Sequence, residues 1–173
     1  MGRNWARAGI EEAAYTALAS GLAASELWSL LLDVAEQRAG ERSAATIQQQ
    51  WDRDRFVGPA YIDQRTLHQL DGHLLAAASE FEALELSPLA PLGSCSSIAL
   101  ASQNKIVSTI RGTEVVSDPT NLLALESARR LRKNAGQTVK LATSHRCVRA
   151  QAVPNVPGFA AHFRMFCITS AGP

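Results

Sequence analysis

Val139-Lys140-Leu141-Ala142-Thr143-Ser144-His145-Arg146-Cys147-Val148-Arg149 and, beyond a loop, Ala160-Ala161-His162-Phe163-Arg164-Met165-Phe166-Cys167-Ile168 decide the fold of this chain. Each has the length and the apolar, β-branched content of a strand. Between them lies Ala152-Val153-Pro154-Asn155-Val156-Pro157-Gly158, whose prolines and glycine suit a long hairpin loop. The pair is therefore expected to lie side by side, antiparallel. Arg149 and Phe163 then sit at the loop end and aim into one cleft.

Just upstream is the best-signalled helix of the chain. Asp118 caps it, and Pro119 takes the first helical position, where its missing N–H costs nothing. Leu122, Leu125 and Leu131 are the expected buried stripe. Arg129, Arg130, Arg132 and Lys133 crowd the last turn, where the helix dipole favours cations, and Gly136 closes it. Before this helix, Ser97–Leu100, Ile106–Ile110 and Thr113–Val116 read as short strands, the first two joined by the polar turn Ser102-Gln103-Asn104-Lys105.

Still further upstream, Thr66 and Gln69 have capping-box spacing at the start of a helix whose apolar face is Leu67, Leu70, Leu74, Ala77 and Ala78. It runs into Leu84-Glu85-Leu86, an alternation expected to form a strand that ends at Pro88. Residues 1–65 read as a helical segment. Ala6 to Ala24 is alanine-rich with Gly9 and Gly21 as soft limits. Ser25 caps a second helix with Leu27, Leu30, Leu31, Val34 and Ala35 on one face, and Ser43 caps a third with Ile47 and Trp51 four apart. Asp52-Arg53-Asp54-Arg55 reads as a solvated end with short-range ion pairs. The expected class is α+β: an antiparallel β-sheet flanked by helices, residues 66–173, preceded by the helical segment.

Composition sets outer limits. The 173 residues are 46% hydrophobic and 19% charged, enough apolar side chain for a core, and the net charge of +1 gives no global pull on nucleic acid. No apolar run reaches the ~20 residues that cross a bilayer, and the start of the chain carries no signal-peptide pattern. Cys95, Cys147 and Cys167 form no CxxC pair, and an odd number cannot all pair internally. A cytoplasmic protein with reduced thiols and no membrane partner is the expectation.

The common catalytic signatures are missing: P-loop lysine, GxGxxG and GxSxG. His68 and His73 are five apart, which misses the i, i+4 spacing of a helical zinc pair, and they read as surface histidines. Gly93-Ser94-Cys95-Ser96-Ser97 suggests a cysteine nucleophile, but no base is placed near it locally. A turn with a half-buried thiol is the expected reading.

The order of elements does carry a resemblance. Ser79-Glu80-Phe81-Glu82-Ala83-Leu84-Glu85-Leu86-Ser87-Pro88 looks like motif 1 of the class II aminoacyl-tRNA synthetases, Asp118-Pro119-Thr120 with Ala128-Arg129 like their Asp-x-Thr segment and the helix behind it, Cys147-Val148-Arg149-Ala150-Gln151 like the start of motif 2, and His162-Phe163-Arg164-Met165-Phe166 like its returning strand. The similarity is greatest to the histidyl type and to its non-catalytic relative, the regulatory subunit of ATP phosphoribosyltransferase. It implies an ATP- or aminoacyl-adenylate-binding domain with Mg²⁺. Arg149 stands where an arginine meets the α-phosphate, because negative charge builds there as a carboxylate attacks. Phe163 is placed to stack on adenine, Thr120 to contact a substrate amine or carboxyl group, and the loop to close over ATP. A homodimer through Thr66–Pro88 and a tRNA partner are implied as well. The chain departs from the pattern at Gln151, where glutamate is usual, and at Val148, where an aromatic is usual. It also ends at Pro173, ahead of motif 3. A non-catalytic dimerisation or regulatory module is therefore the alternative, with an RNA-binding fragment using Arg129, Arg130, Arg132, Lys133, Lys140, Arg146 and Arg149 as the third reading.

Overall fold

The structure, a computed structural model, describes residues 4–99 and 101–173. Leu100, the end of one expected strand, and residues 1–3 at the start of the chain fall outside them. The described residues form α1 (Asn4–Arg7), α2 (Glu12–Thr16), α3 (Ala24–Gly40), α4 (Ala44–Arg53), α5 (Gln64–Ala77), α6 (Ser94–Ser97) and α7 (Pro119–Lys133), with strands β1 (Glu82–Ala83), β2 (Leu89–Pro91), β3 (Thr113–Val115), β4 (Val139–Val148) and β5 (His162–Ala171). The class is mixed helix and sheet, with the sheet small.

The β4–β5 ribbon is antiparallel over ten residue pairs, from Val139 opposite Ala171 to Val148 opposite His162. The sheet as a whole is mixed rather than antiparallel. β1 joins the other side of β4 in parallel, Glu82 beside Leu141 and Ala83 beside Ala142, giving the order β1-β4-β5. The reason is directional: the chain leaves β1 and returns to β4 only after α7, a crossover long enough to bring it back in the same sense. β2 and β3 pair separately, Ala90 opposite Glu114.

Strand period sets the two faces of the ribbon. Val139, Leu141, Thr143, His145 and Cys147 are buried on one face, together with Cys167 of β5. Leu123 of α7 packs there with Val139, Leu141 and Cys167, while Ala90, Val116 and Cys147 form a second cluster against Phe163 and Met165. Full burial of Leu123 and Leu141 is worth about 2 kcal/mol each. The helix face therefore differs from expectation: Leu123 is central and Leu125 is 40% exposed. The cap of α7 stands as read, with the Asp118 carboxylate accepting from Thr120 N at 3.0 Å. Its other end is closed by Asn134 rather than Gly136.

Several boundaries move for local reasons. Asp63, not Thr66, caps α5, its carboxylate accepting from Arg65 N at 2.9 Å; an ionised acceptor nearer the chain break takes the role. Ser25 lies inside the first turn of α3, where Glu26 reaches back to the Ala23 N–H at 2.9 Å. Ser43 does cap α4. Gly9, at φ 72°, interrupts the first expected helix, which is split into α1, α2 and a π-helical turn at Ala17–Gly21. Ser94–Ser97 is a helical turn, so Ser97 does not open a strand, and Ile106–Ile110 holds only a single bridge, Ser108 to Glu114. Among the described residues ahead of Ala78 none is buried, so α1 to α5 lie on the outside of the core.

Candidate functional site

The end of β4, the start of β5 and the N-terminus of α7 converge on Arg149. Its Nε donates to the Ser117 carbonyl at 3.0 Å, and one amine, Nη2, meets the Asp118 carboxylate at 3.3 Å. The guanidinium lies over the Phe163 ring, 5.2 Å from its centroid, a cation–π contact, and Nη2 also approaches the Met165 sulfur. Among the described residues the second amine, Nη1, makes no hydrogen bond. The guanidinium fork is thus held at one edge, through Nε and Nη2.

Asp118 joins the remaining parts. One oxygen caps α7 through Thr120 N and accepts the Thr120 hydroxyl at 2.7 Å, while the other faces Arg149. Thr120, Asp118, Arg149 and Phe163 thus form one connected set, with the Thr120 side chain exposed and spent on Asp118. Gln151 is placed differently. β4 stops at Val148, the Gln151 N–H donates to the Arg149 carbonyl at 2.8 Å, and its exposed side chain makes no hydrogen bond among the described residues. The chain turns between Arg149 and Gln151, so the two side chains do not share a strand face.

The thiols nearby are poor nucleophiles by environment. Burial pushes the Cys147 thiol up to about 12, and burial also raises that of Cys167. Cys95, expected half-buried, is 1% exposed and accepts from the Ser117 hydroxyl at 3.0 Å. His68 and His73 are exposed on α5.

The basic cluster is mostly neutralised. Arg129 and Arg130 bind Glu126, whose carboxyl the two guanidiniums hold down at about 2, and Arg130 also binds Glu82. Lys140 pairs with Glu80. Among the described residues Arg132, Lys133 and Arg146 have no carboxylate partner.

Sequence reasoning missed what lies on the other face of the ribbon. Ser144, Arg146, Arg164 and Phe166 point there, into a cavity of about 1130 Å³ closed by α5, by the segment after α4 and by the β4–β5 loop. The loop is held by Arg55, which donates to the carbonyls of Val153 (2.8 Å), Pro154 (2.9 Å) and Phe159 (2.6 Å). Asp54 accepts from Gln50 and from Phe56 N. Asp54 and Arg55 are thus structural, where the sequence suggested solvated ion pairs. The available signal was period 2: Arg146 and His162, Arg164 and Phe166 alternate with residues of the buried face.

No family model matches the chain, and no curated protein matches it. Two solved structures of pyrrolysyl-tRNA synthetase from Desulfitobacterium hafniense are similar to it, both with TM-score 0.46 and 13% identity over 62% of this chain, and 44% and 42% of theirs. A third is an ATP phosphoribosyltransferase regulatory subunit/histidyl-tRNA synthetase from Bacillus halodurans C, with TM-score 0.43 and 16% identity over 58% of this chain and 28% of that one. The chain spans less than half the length of each. Among the described residues no helix is long and apolar enough to cross a membrane, and no group of three His, Cys, Asp or Glu side chains is placed to hold a metal.

Proposed function

We propose that this chain is a class II synthetase-like domain that binds ATP, or an aminoacyl-adenylate, at Arg149. The observation that carries the reading is the pose of that guanidinium. It is stacked on Phe163 and pinned by Asp118, with Nη1 left to meet an α-phosphate. Adenine has an aromatic ring beside that cation to stack on. Mg²⁺ enters on the triphosphate, since phosphate oxygens with water and one or two carboxylates satisfy its octahedral shell. Thr120 and Gln151 flank the site, Thr120 through Asp118 and Gln151 from the turn. A neutral amide at Gln151 accepts more weakly than a carboxylate, which favours binding over catalysis.

A second feature supports a dimeric role on the same fold. Leu75 of α5 and Leu89 beyond it are 36% and 43% exposed, within or beside Thr66–Pro88. In this reading that stretch meets a second copy of the chain. Calorimetric titration of Mg–ATP tests the nucleotide reading. Saturable binding is expected, weakened at least about tenfold by Arg149→Ala, the cost of a charged hydrogen bond. Flat titrations at millimolar ATP remove the proposal.

A further inference from the structure

The cavity on the outer face of the β4–β5 ribbon is lined by neither Arg149 nor Asp118, and it meets the Arg149 site only at Phe163. Its apolar walls are solvent-accessible. Leu70 on α5 is 50% exposed and Phe159 in the loop is 56% exposed, yet both face a concavity, with Leu74 and Phe166 beside them. Apolar side chains lining a hollow recover their hydration cost only when something apolar fills it.

The floor carries an electrostatic imbalance. Arg146 and Arg164 are directly opposite each other on the ribbon, a like-charge pair that opposes strand pairing unless balanced. Arg164 is balanced by Asp71 of α5 at 2.9 Å, with Ser144 donating to the other oxygen of that carboxylate. Among the described residues Arg146 has no carboxylate partner. It donates instead to His162 Nδ1 at 2.7 Å, and His162 Nε2 lies 2.7 Å from the Gly58 carbonyl. A guanidinium only donates and a carbonyl only accepts, so Nδ1 is the acceptor and Nε2 carries the hydrogen. The imidazole therefore fixes Arg146 in direction without neutralising it. Across the whole lining four arginines face three aspartates, an excess of one positive charge.

We propose that this cavity binds a monocarboxylate carried on an aromatic or other apolar body, its anion on Arg146 and its body against Leu70, Leu74, Phe159 and Phe166. One excess charge suits a monoanion and not a triphosphate. A guanidinium with free donors takes a carboxylate bidentately. The volume, just above the range of ordinary ligand sites, accommodates a ligand of two or more fused rings.

The test uses the full chain with 2-naphthoate and its neutral isostere 2-naphthylmethanol, followed by fluorescence titration and calorimetry. Expected are one saturable site for the acid, binding at least about tenfold weaker for the alcohol, and loss of that difference in Arg146→Gln. Arg149→Gln should leave naphthoate binding unchanged, which separates this site from the nucleotide proposal in either direction. Equal affinity for acid and alcohol, no saturable binding, or full retention in Arg146→Gln overturns the assignment. If Arg146→Gln does not fold, the acid-to-alcohol ratio on the unaltered chain decides.

Discussion

At the scale of single residues, Glu114 shows how the fold handles a buried charge. It is 0% exposed in β3 and has no basic partner among the described residues. Its carboxylate instead accepts from Gly93 N at 2.8 Å, Cys95 N at 2.9 Å and the Gln103 amide at 3.1 Å, capping the α6 turn from a neighbouring strand. Burial works to raise its pKa, but the Cys95 and Gly93 N–H groups and the Gln103 amide outweigh that and hold the carboxyl below the usual range. The sign follows from linkage. A carboxylate ionised more readily in the folded than in the unfolded chain contributes stability above its unfolded pKa. That contribution is lost as pH falls through the folded value. Glu114→Gln should therefore cost about 1–3 kcal/mol at pH 7 and less at pH 3, measured by urea denaturation at both. An equal loss at the two pH values would mean the charge contributes nothing.

At the scale of elements, one contact ties α3 to the turn before β3. Gly112 turns the chain into β3 at φ +67°, and a Cβ there would come within 2.7 Å of Cζ2 of Trp28 on α3. Two costs meet at this position, the left-handed backbone and the approach of the indole. Gly112→Ala should destabilise by about 1–3 kcal/mol in chemical denaturation. In a Trp28→Ala background only the backbone cost should remain, so the loss should shrink by roughly half. An unchanged loss in that background would mean that α3 does not rest on this turn. The two long strands and α7 are elements of another kind, set by their own residues. Asp118 caps α7 with Pro119 at its first position, and ten-residue runs of β4 and β5 pair through their whole length.

At the scale of the whole molecule, apolar surface is left over. The described residues ahead of Ala78 bury none of their side chains fully, and Leu75 and Leu89 stay open beside the sheet. β5 has a strand partner on one side only, an edge that natural sheets usually cover or blunt. The proposed dimer would cover part of this surface. Light scattering at micromolar concentration should give twice the chain mass of 18.6 kDa, and Leu75→Asp should return it to one. A monomer before any substitution would count against the dimer.

What the sequence determined by itself was the local part: the capped α7, the paired runs of β4 and β5, the proline-rich loop, and the placing of Arg149 and Phe163 at one end of the ribbon. Those signals lie within a few residues of where they act. A side chain satisfies a backbone donor next to it, and alternation gives a strand two faces whatever surrounds it. Tertiary structure decided the rest. It chose Leu123 over Leu125 for the core, ran β1 parallel to β4, sent Arg55 about a hundred residues along the chain to the loop carbonyls, and left Arg146 facing a cavity. Each of these depends on which surfaces meet. A residue's neighbours in sequence do not carry that information, because burial and long-range hydrogen bonding are fixed only when the elements pack against one another.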